Sequence, residues 1–155
     1  MGFDYSLKLS TDMNRAHALG LLAEHIPGLQ WSDENGSLFD STLSNIIIAA
    51  SELHGYSQAM IEEGFGFTPE LSVLFRFPSN RDYDRFAQTM LRGVLLLLDH
   101  GRDGVLLFNG EIIVLQRLGG QLTLNSDYHI FDDKDWLKSI LTTSFERRPL
   151  PSPLL

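Results

Sequence analysis

Two turn signals ten residues apart constrain this chain most: Asn109-Gly110 and Gly119-Gly120. A type I′ turn needs positive φ at both central residues, which Asn-Gly and Gly-Gly supply at low steric cost. Apolar residues fill the segments on either side, at 105–108, 112–118 and 121–125. Strands joined by such short turns must run antiparallel. The pattern therefore predicts a three-stranded antiparallel meander near the C-terminus.

The rest of the chain is read around that meander. Phe3, Tyr5, Leu7 and Leu9 alternate with polar residues, the period of a half-buried strand. Ser10 or Thr11 is placed to cap a helix with Met13, Ala16, Leu19, Gly20, Leu22 and Ala23 on its apolar side, stopped by Pro27-Gly28. A short strand is expected at 29–31, a polar loop at 32–42 and a strand at 45–53. Residues 57–63 read as one or two helical turns, with Gly64-Phe65-Gly66-Phe67 as the turn that follows. Leu71, Val73, Phe75 and Phe77 mark a strand over 70–77. A long helix follows, with Ser79 and Asp82 resembling a capping box and Phe86, Met90, Val94 and Leu97 on one face. His100-Gly101 closes it, Gly101 being expected in the left-handed C′ conformation. A last helix is expected from Asp132 or Asp133, burying Trp136, Ile140 and Leu141.

These elements predict an α+β fold: one mainly antiparallel sheet of about six to seven strands. Two long helices and a C-terminal helix would pack on one of its faces. Residues 1–146 read as a single globular domain. Residues 147–155, with Pro149, Pro151 and Pro153, read as an extended tail over the surface.

Charge and composition narrow the function. Twenty acids against twelve bases give a net charge of −8, which disfavours nucleic acid and anionic membranes as direct partners. The absence of cysteine excludes disulfides, thiolate metal sites and a Cys nucleophile. The first residues lack the basic and apolar regions of a secretory signal, and the longest apolar run, 94–98, is far too short to span a bilayer. Met1 to Ser6 matches the loose myristoylation pattern, but the same residues alternate as a strand. The expectation is a soluble cytoplasmic protein.

The search for chemistry yields no catalytic, metal or cofactor assignment. His17, His25, His54, His100 and His129 show no zinc spacing. The acids Asp132, Asp133 and Asp135 lack the Gly and distal Glu of a calcium loop and read as a helix start. Glu62 and Glu63 are adjacent, so on a helix they do not converge on one substrate atom. No phosphate loop, dinucleotide fingerprint or Gly-x-Ser-x-Gly elbow is present. The charge is nevertheless uneven. Residues 1–78 carry ten acids and three bases, whereas 79–155 carry ten and nine. On charge alone, a solvated acidic surface is the plainer account, and a face that steers a cationic protein is the alternative.

Several segments in order carry a family resemblance. They are Gly64-Phe65-Gly66-Phe67-Thr68-Pro69 running into Leu71-Ser72-Val73-Leu74-Phe75-Arg76-Phe77, Met90-Leu91 in the long helix, and Leu106-Leu107-Phe108-Asn109-Gly110-Glu111 with Ile113-Val114-Leu115-Gln116-Arg117. Gly119-Gly120-Gln121-Leu122-Thr123-Leu124-Asn125 and the Pro149-Leu150-Pro151-Ser152-Pro153-Leu154 end complete the set. Together they resemble the SitI family of immunity proteins from swarming-inhibition toxin–immunity systems. The likeness covers residues 64–125 well and the N-terminal half loosely, and residues 29–60 follow the pattern poorly.

The resemblance implies a non-catalytic protein that binds and neutralises a cognate bacterial toxin, and it brings no catalytic residues with it. The acidic half motivates a basic nuclease as that toxin. The expected contacts are exposed acids between elements: Asp33, Glu34, Asp40, Glu62 and Glu63. The rival readings are a small-ligand or peptide-binding module using the sheet's concave side, an enzyme with a dispersed site around Tyr128, His129 and Asp132, and an oligomerising structural domain.

Overall fold

The computed structural model describes residues 3–32, 36–40, 46–77, 83–132 and 134–154. Nine strands form one sheet: β1 Phe3–Leu9, β2 Gln30–Ser32, β3 Ser37–Phe39, β4 Ile47–Glu52, β5 Leu71–Phe77, β6 Gly104–Phe108, β7 Ile112–Leu118, β8 Gln121–Asn125 and β9 Phe145–Arg148. The helices are α1 Arg15–His25, α2 Gly55–Phe65, α3 Tyr83–Asp99 and the four-residue α4 Leu137–Ile140, preceded by a 3-10 turn at His129–Phe131. The strand order is β2-β3-β4-β5-β1-β6-β7-β8-β9.

The amphipathic first strand lies at the centre. Its alternation puts Tyr5, Leu7 and Leu9 in the core, in register with Phe75, Val73 and Leu71 of β5. On its other edge Tyr5 and Leu7 face Phe108 and Leu106 of β6. Every pairing is antiparallel except β8 with β9. The chain reaches β9 through α4 rather than through a tight turn, and such a crossover lets the strand return parallel. The sheet is thus mixed and larger than the expected six to seven strands.

The meander forms as predicted. Asn109 and Gly110 have φ of 52° and 74°, and Gly119 and Gly120 have 59° and 82°, the left-handed values of a type I′ turn. Glu111 extends the first connection to three residues, since Phe108 pairs with Ile112. Val114 is an extra residue between the pairs Leu107–Ile113 and Leu106–Leu115, a β-bulge.

Helices α1 and α3 cover one face. Helix α3 buries Phe86, Ala87, Met90, Leu91, Gly93, Val94, Leu97 and Leu98 against the sheet and α1. The face opposite carries α2: Ile61 joins Phe67, Val105, Leu107, Ile113 and Leu150 in a second, smaller core. The expectation that all helices share one face is corrected by this cluster. It also explains why β6 buries Val105, Leu106 and Leu107 in succession, because a strand covered on both faces has no polar side.

Other local expectations shift for identifiable reasons. The cap of α1 is Asn14, whose side chain accepts from the His17 amide at 2.8 Å. Thr11 instead ties the turn, donating to the His100 carbonyl and accepting from the Met13 amide. Helix α1 therefore starts later and buries Ala18, Leu19, Leu21 and Leu22, leaving Ala16 exposed. Part of the expected loop at 32–42 is β3, held by fully buried Leu38 opposite Ile48. The expected last helix shrinks to α4 with its flanking turn. The Ser79–Asp82 cap lies outside the described residues. Beyond β9 the tail is anchored: Leu150 is buried, and Asn125 both accepts from its amide and donates to its carbonyl.

Gly101 does not take the left-handed conformation. It is needed for space, since a Cβ there would lie 2.7 Å from Leu9 Cδ1 and 3.0 Å from the Ser10 carbonyl oxygen. Gly101→Ala is expected to lower stability by about 1–3 kcal/mol, the usual cost of overpacking, read from a denaturant midpoint. An unchanged midpoint would contradict this close approach. No helix among the described residues is long and apolar enough to cross a membrane.

Candidate interaction surface

Helix α2 is an unusual helix for a domain of this size. Its sequence, GYSQAMIEEGF, buries one side chain completely, Ile61. Gly66 ends it in the left-handed conformation, with φ of 79°. Two side-chain bonds hold the helix to the entrance of β5. Gln58 Nε2 donates to the Pro69 carbonyl at 2.9 Å, and Thr68 Oγ1 donates to Glu62 Oε2 at 2.6 Å.

The outer side of this anchored helix carries large apolar groups. Tyr56 is 82% exposed and Met60 37% exposed. Residues four apart lie on one helix face, and Glu63 extends the same stripe by another turn. Tyr and Met are residue types that supply contact area in protein interfaces.

The charge on α2 is placed against its own stability. Glu62 and Glu63 are exposed in the last turn, which holds no basic residue, and the first turn holds no acid. The helix macrodipole puts roughly −0.5 of a charge at that end, so a carboxylate there costs about 0.3–1 kcal/mol. Two of the three bases of this half of the chain are engaged elsewhere. Arg76 pairs with Asp4 at 2.8 Å and holds its carboxyl below the usual range. Lys8 lies against Ser72 Oγ at 2.9 Å, and burial lowers its pKa. Asp12 and Glu70 share Arg102. Among the described residues, neither Glu62 nor Glu63 has an ion-pair partner. The C-terminal end of α2 is therefore a concentrated negative site beside an exposed Tyr-Met stripe.

The expected contact acids separate under this geometry. Glu62 and Glu63 come together with Tyr56 and Met60 on α2. Asp40 is only 1% exposed and lies against Gly28, so the expectation of an exposed contact there is corrected. Asp33 and Glu34 lie outside the described residues. A helix read over 57–63 leaves out Tyr56, and local sequence alone does not tell which face of it Met60 occupies. Once a helix over 55–65 is drawn, Ile61 and Phe65 fall on the inner side and Tyr56 and Met60 on the outer.

Of the residues of the dispersed-site alternative, His129 and Asp132 meet each other, while Tyr128 packs elsewhere. The Tyr128 hydroxyl is 2.7 Å from that of Tyr5, which also bonds the Tyr83 hydroxyl, within a cluster that includes Phe77, Phe86 and Phe108. His129 Nδ1 instead meets Asp132 Oδ2 at 2.5 Å, and Arg147 of β9 pairs with the same carboxylate. These bonds, that from His129 foremost, lower the Asp132 pKa. Among the described residues, no three His, Cys, Asp or Glu side chains gather as a metal site requires.

Burial raises the pKa of both Tyr5 and Tyr128 well above their ordinary value. An unfolded phenol titrates near about 10. The stability tied to these neutral phenols is complete below that pH and is lost as the pH rises toward the raised values. In an absorbance titration, at least two of the four tyrosines should stay protonated past pH ~10 until the fold opens. All four ionising near that pH in a folded protein would contradict this.

No curated protein and no solved structure matches the chain. A family comparison matches residues 3–135, which run from β1 through β8 and stop short of α4 and β9. The matched span contains the central sheet, α3 and the presented helix α2, and by it the chain belongs to the SitI3-like family, an immunity-type family whose general partner is a toxin.

Proposed function

We propose that this chain is a non-catalytic immunity protein that neutralises a cognate toxin by binding a basic surface on it, as a nuclease would present. The observation that carries the reading is the outer face of α2: an exposed Tyr-Met stripe next to two uncompensated carboxylates at the helix's negative end. The helix dipole disfavours carboxylates at that end, so nothing in the stability of α2 calls for them.

The mechanism follows from this placement. Negative potential at Glu62 and Glu63 speeds encounter with a cationic surface and orients it. Tyr56 and Met60 then supply buried contact area, with the charges around them as rim. Occlusion of the toxin needs no reaction at the immunity protein, so the chain requires a stable scaffold and a presented surface only. The broad β-sheet with helices on both faces provides that scaffold.

The test is to express the open reading frame next to this gene in a sensitive host with and without this chain, and to follow the purified pair by chromatography and stopped flow. The expected result is restored growth, co-elution and an association rate that falls as salt rises. Tight binding indifferent to salt would overturn the charge-led part. A neighbouring toxin neither bound nor neutralised would overturn the pairing.

A further inference from the structure

The far edge of the sheet holds a groove of opposite character. It lies between α4 and β9, has a volume of about 380 Å³, and is lined by Phe131, Leu137, Leu141 and Phe145 with Lys134, Lys138, Arg147 and Asp135. Phe131 and Leu141 are buried and form its inner part, while Phe145 remains 40% exposed. Part of the Phe145 ring is thus open to solvent along the groove. The volume falls in the range of small-molecule sites, roughly 300–1,000 Å³.

The charged lining sums to three cations and one acid in a chain of net charge −8. Two of the cations are fixed from outside the groove. Lys134 Nζ is held by Asp84 Oδ1 at 2.7 Å, and Arg147 is held by Asp132. Lys138 is exposed and has no ion-pair partner among the described residues. An apolar interior with one unpaired ammonium at its rim matches a ligand with an apolar body and one anionic head.

We propose that this groove binds a small amphipathic anion of the medium-chain fatty carboxylate type. The chain lies along Phe131, Leu137, Leu141 and Phe145, and the carboxylate meets Lys138, while Lys134 and Arg147 stay held by Asp84 and Asp132. Charge-assisted hydrogen bonds from ammonium to carboxylate are the stronger kind, and they give the head group its place. The site lies on α4 and β9, apart from the α2 surface, and does not depend on the immunity reading.

Decanoate below its micelle concentration is the probe, titrated into the full chain with calorimetry and amide NMR. Decanol tests the need for the charge, and acetate the need for the chain. The expected result is saturable one-to-one binding of decanoate, with shifts concentrated at Leu137, Lys138, Leu141, Phe145 and Arg147. Lys138→Glu and Phe145→Ala should each weaken binding at least about tenfold while leaving the folded spectrum in place. Absence of saturable binding, equal binding of decanol, or shifts centred elsewhere would each overturn the proposal.

Discussion

Tyr56→Ala is expected to weaken the proposed toxin complex by about 2–4 kcal/mol, roughly 30- to 1,000-fold in Kd, and to leave the melting temperature of the free protein nearly unchanged. The two halves of that result have one cause. Tyr56 is 82% exposed, so the isolated fold hardly uses its ring. In the complex, the same ring would be the largest apolar group on the presented face of α2. A phenol ring gives large contact area with few torsions to freeze, which is why tyrosine dominates binding hot spots. Calorimetry of the complex and a thermal melt of the free chain check both halves. A loss of stability with unchanged affinity would assign Tyr56 to the scaffold instead.

The second large effect separates stability from function by sign. Glu62→Lys with Glu63→Lys changes the local charge by four units at the negative end of α2. Association with a basic toxin should slow about 10- to 100-fold at low salt, and the difference should shrink as salt screens the field. The fold itself should tolerate the change. Glu63→Lys alone is expected to raise stability by about 0.3–1 kcal/mol, because a cation there meets the helix dipole favourably. Glu62→Lys offsets part of that gain by losing the hydrogen bond from Thr68. Stopped-flow association across a salt series, with denaturation of each variant, measures both. An unchanged rate for the double variant would remove α2 from the interface.

Much of the fold was legible where the signal was local. The Asn109-Gly110 and Gly119-Gly120 turns declare themselves in two residues each, and the alternation of β1 and β5 survives because one face of each is buried. The apolar face of α3 is likewise repeated over four turns. The elements that were missed lack that repetition. Strand β3 is three residues long and hangs on Leu38 alone, while β9 reads Phe-Glu-Arg-Arg, exposed throughout and paired on one side only. The role of Gly101 depends on Leu9, far away in sequence, which no local pattern reveals.

The candidate site was legible in its charges and not in its apolar part. Glu62 and Glu63 stand out in any helical reading of their segment. Asp40 looked equally exposed among polar neighbours, and only the folded chain places it against Gly28. Tyr56 and Met60 become meaningful once Ile61 is known to dock α2 onto Val105 and Leu107, because that contact decides which face remains outside.

Immunity is proposed to reside in the outer face of α2. This is tested by growth of a sensitive host expressing the open reading frame next to this gene, once that product is shown to arrest growth, together with either the native chain or a Tyr56→Ala, Glu62→Lys, Glu63→Lys variant of matched melting temperature. The expected result is full growth with the native chain and arrest with the variant. Equal growth with both would contradict it.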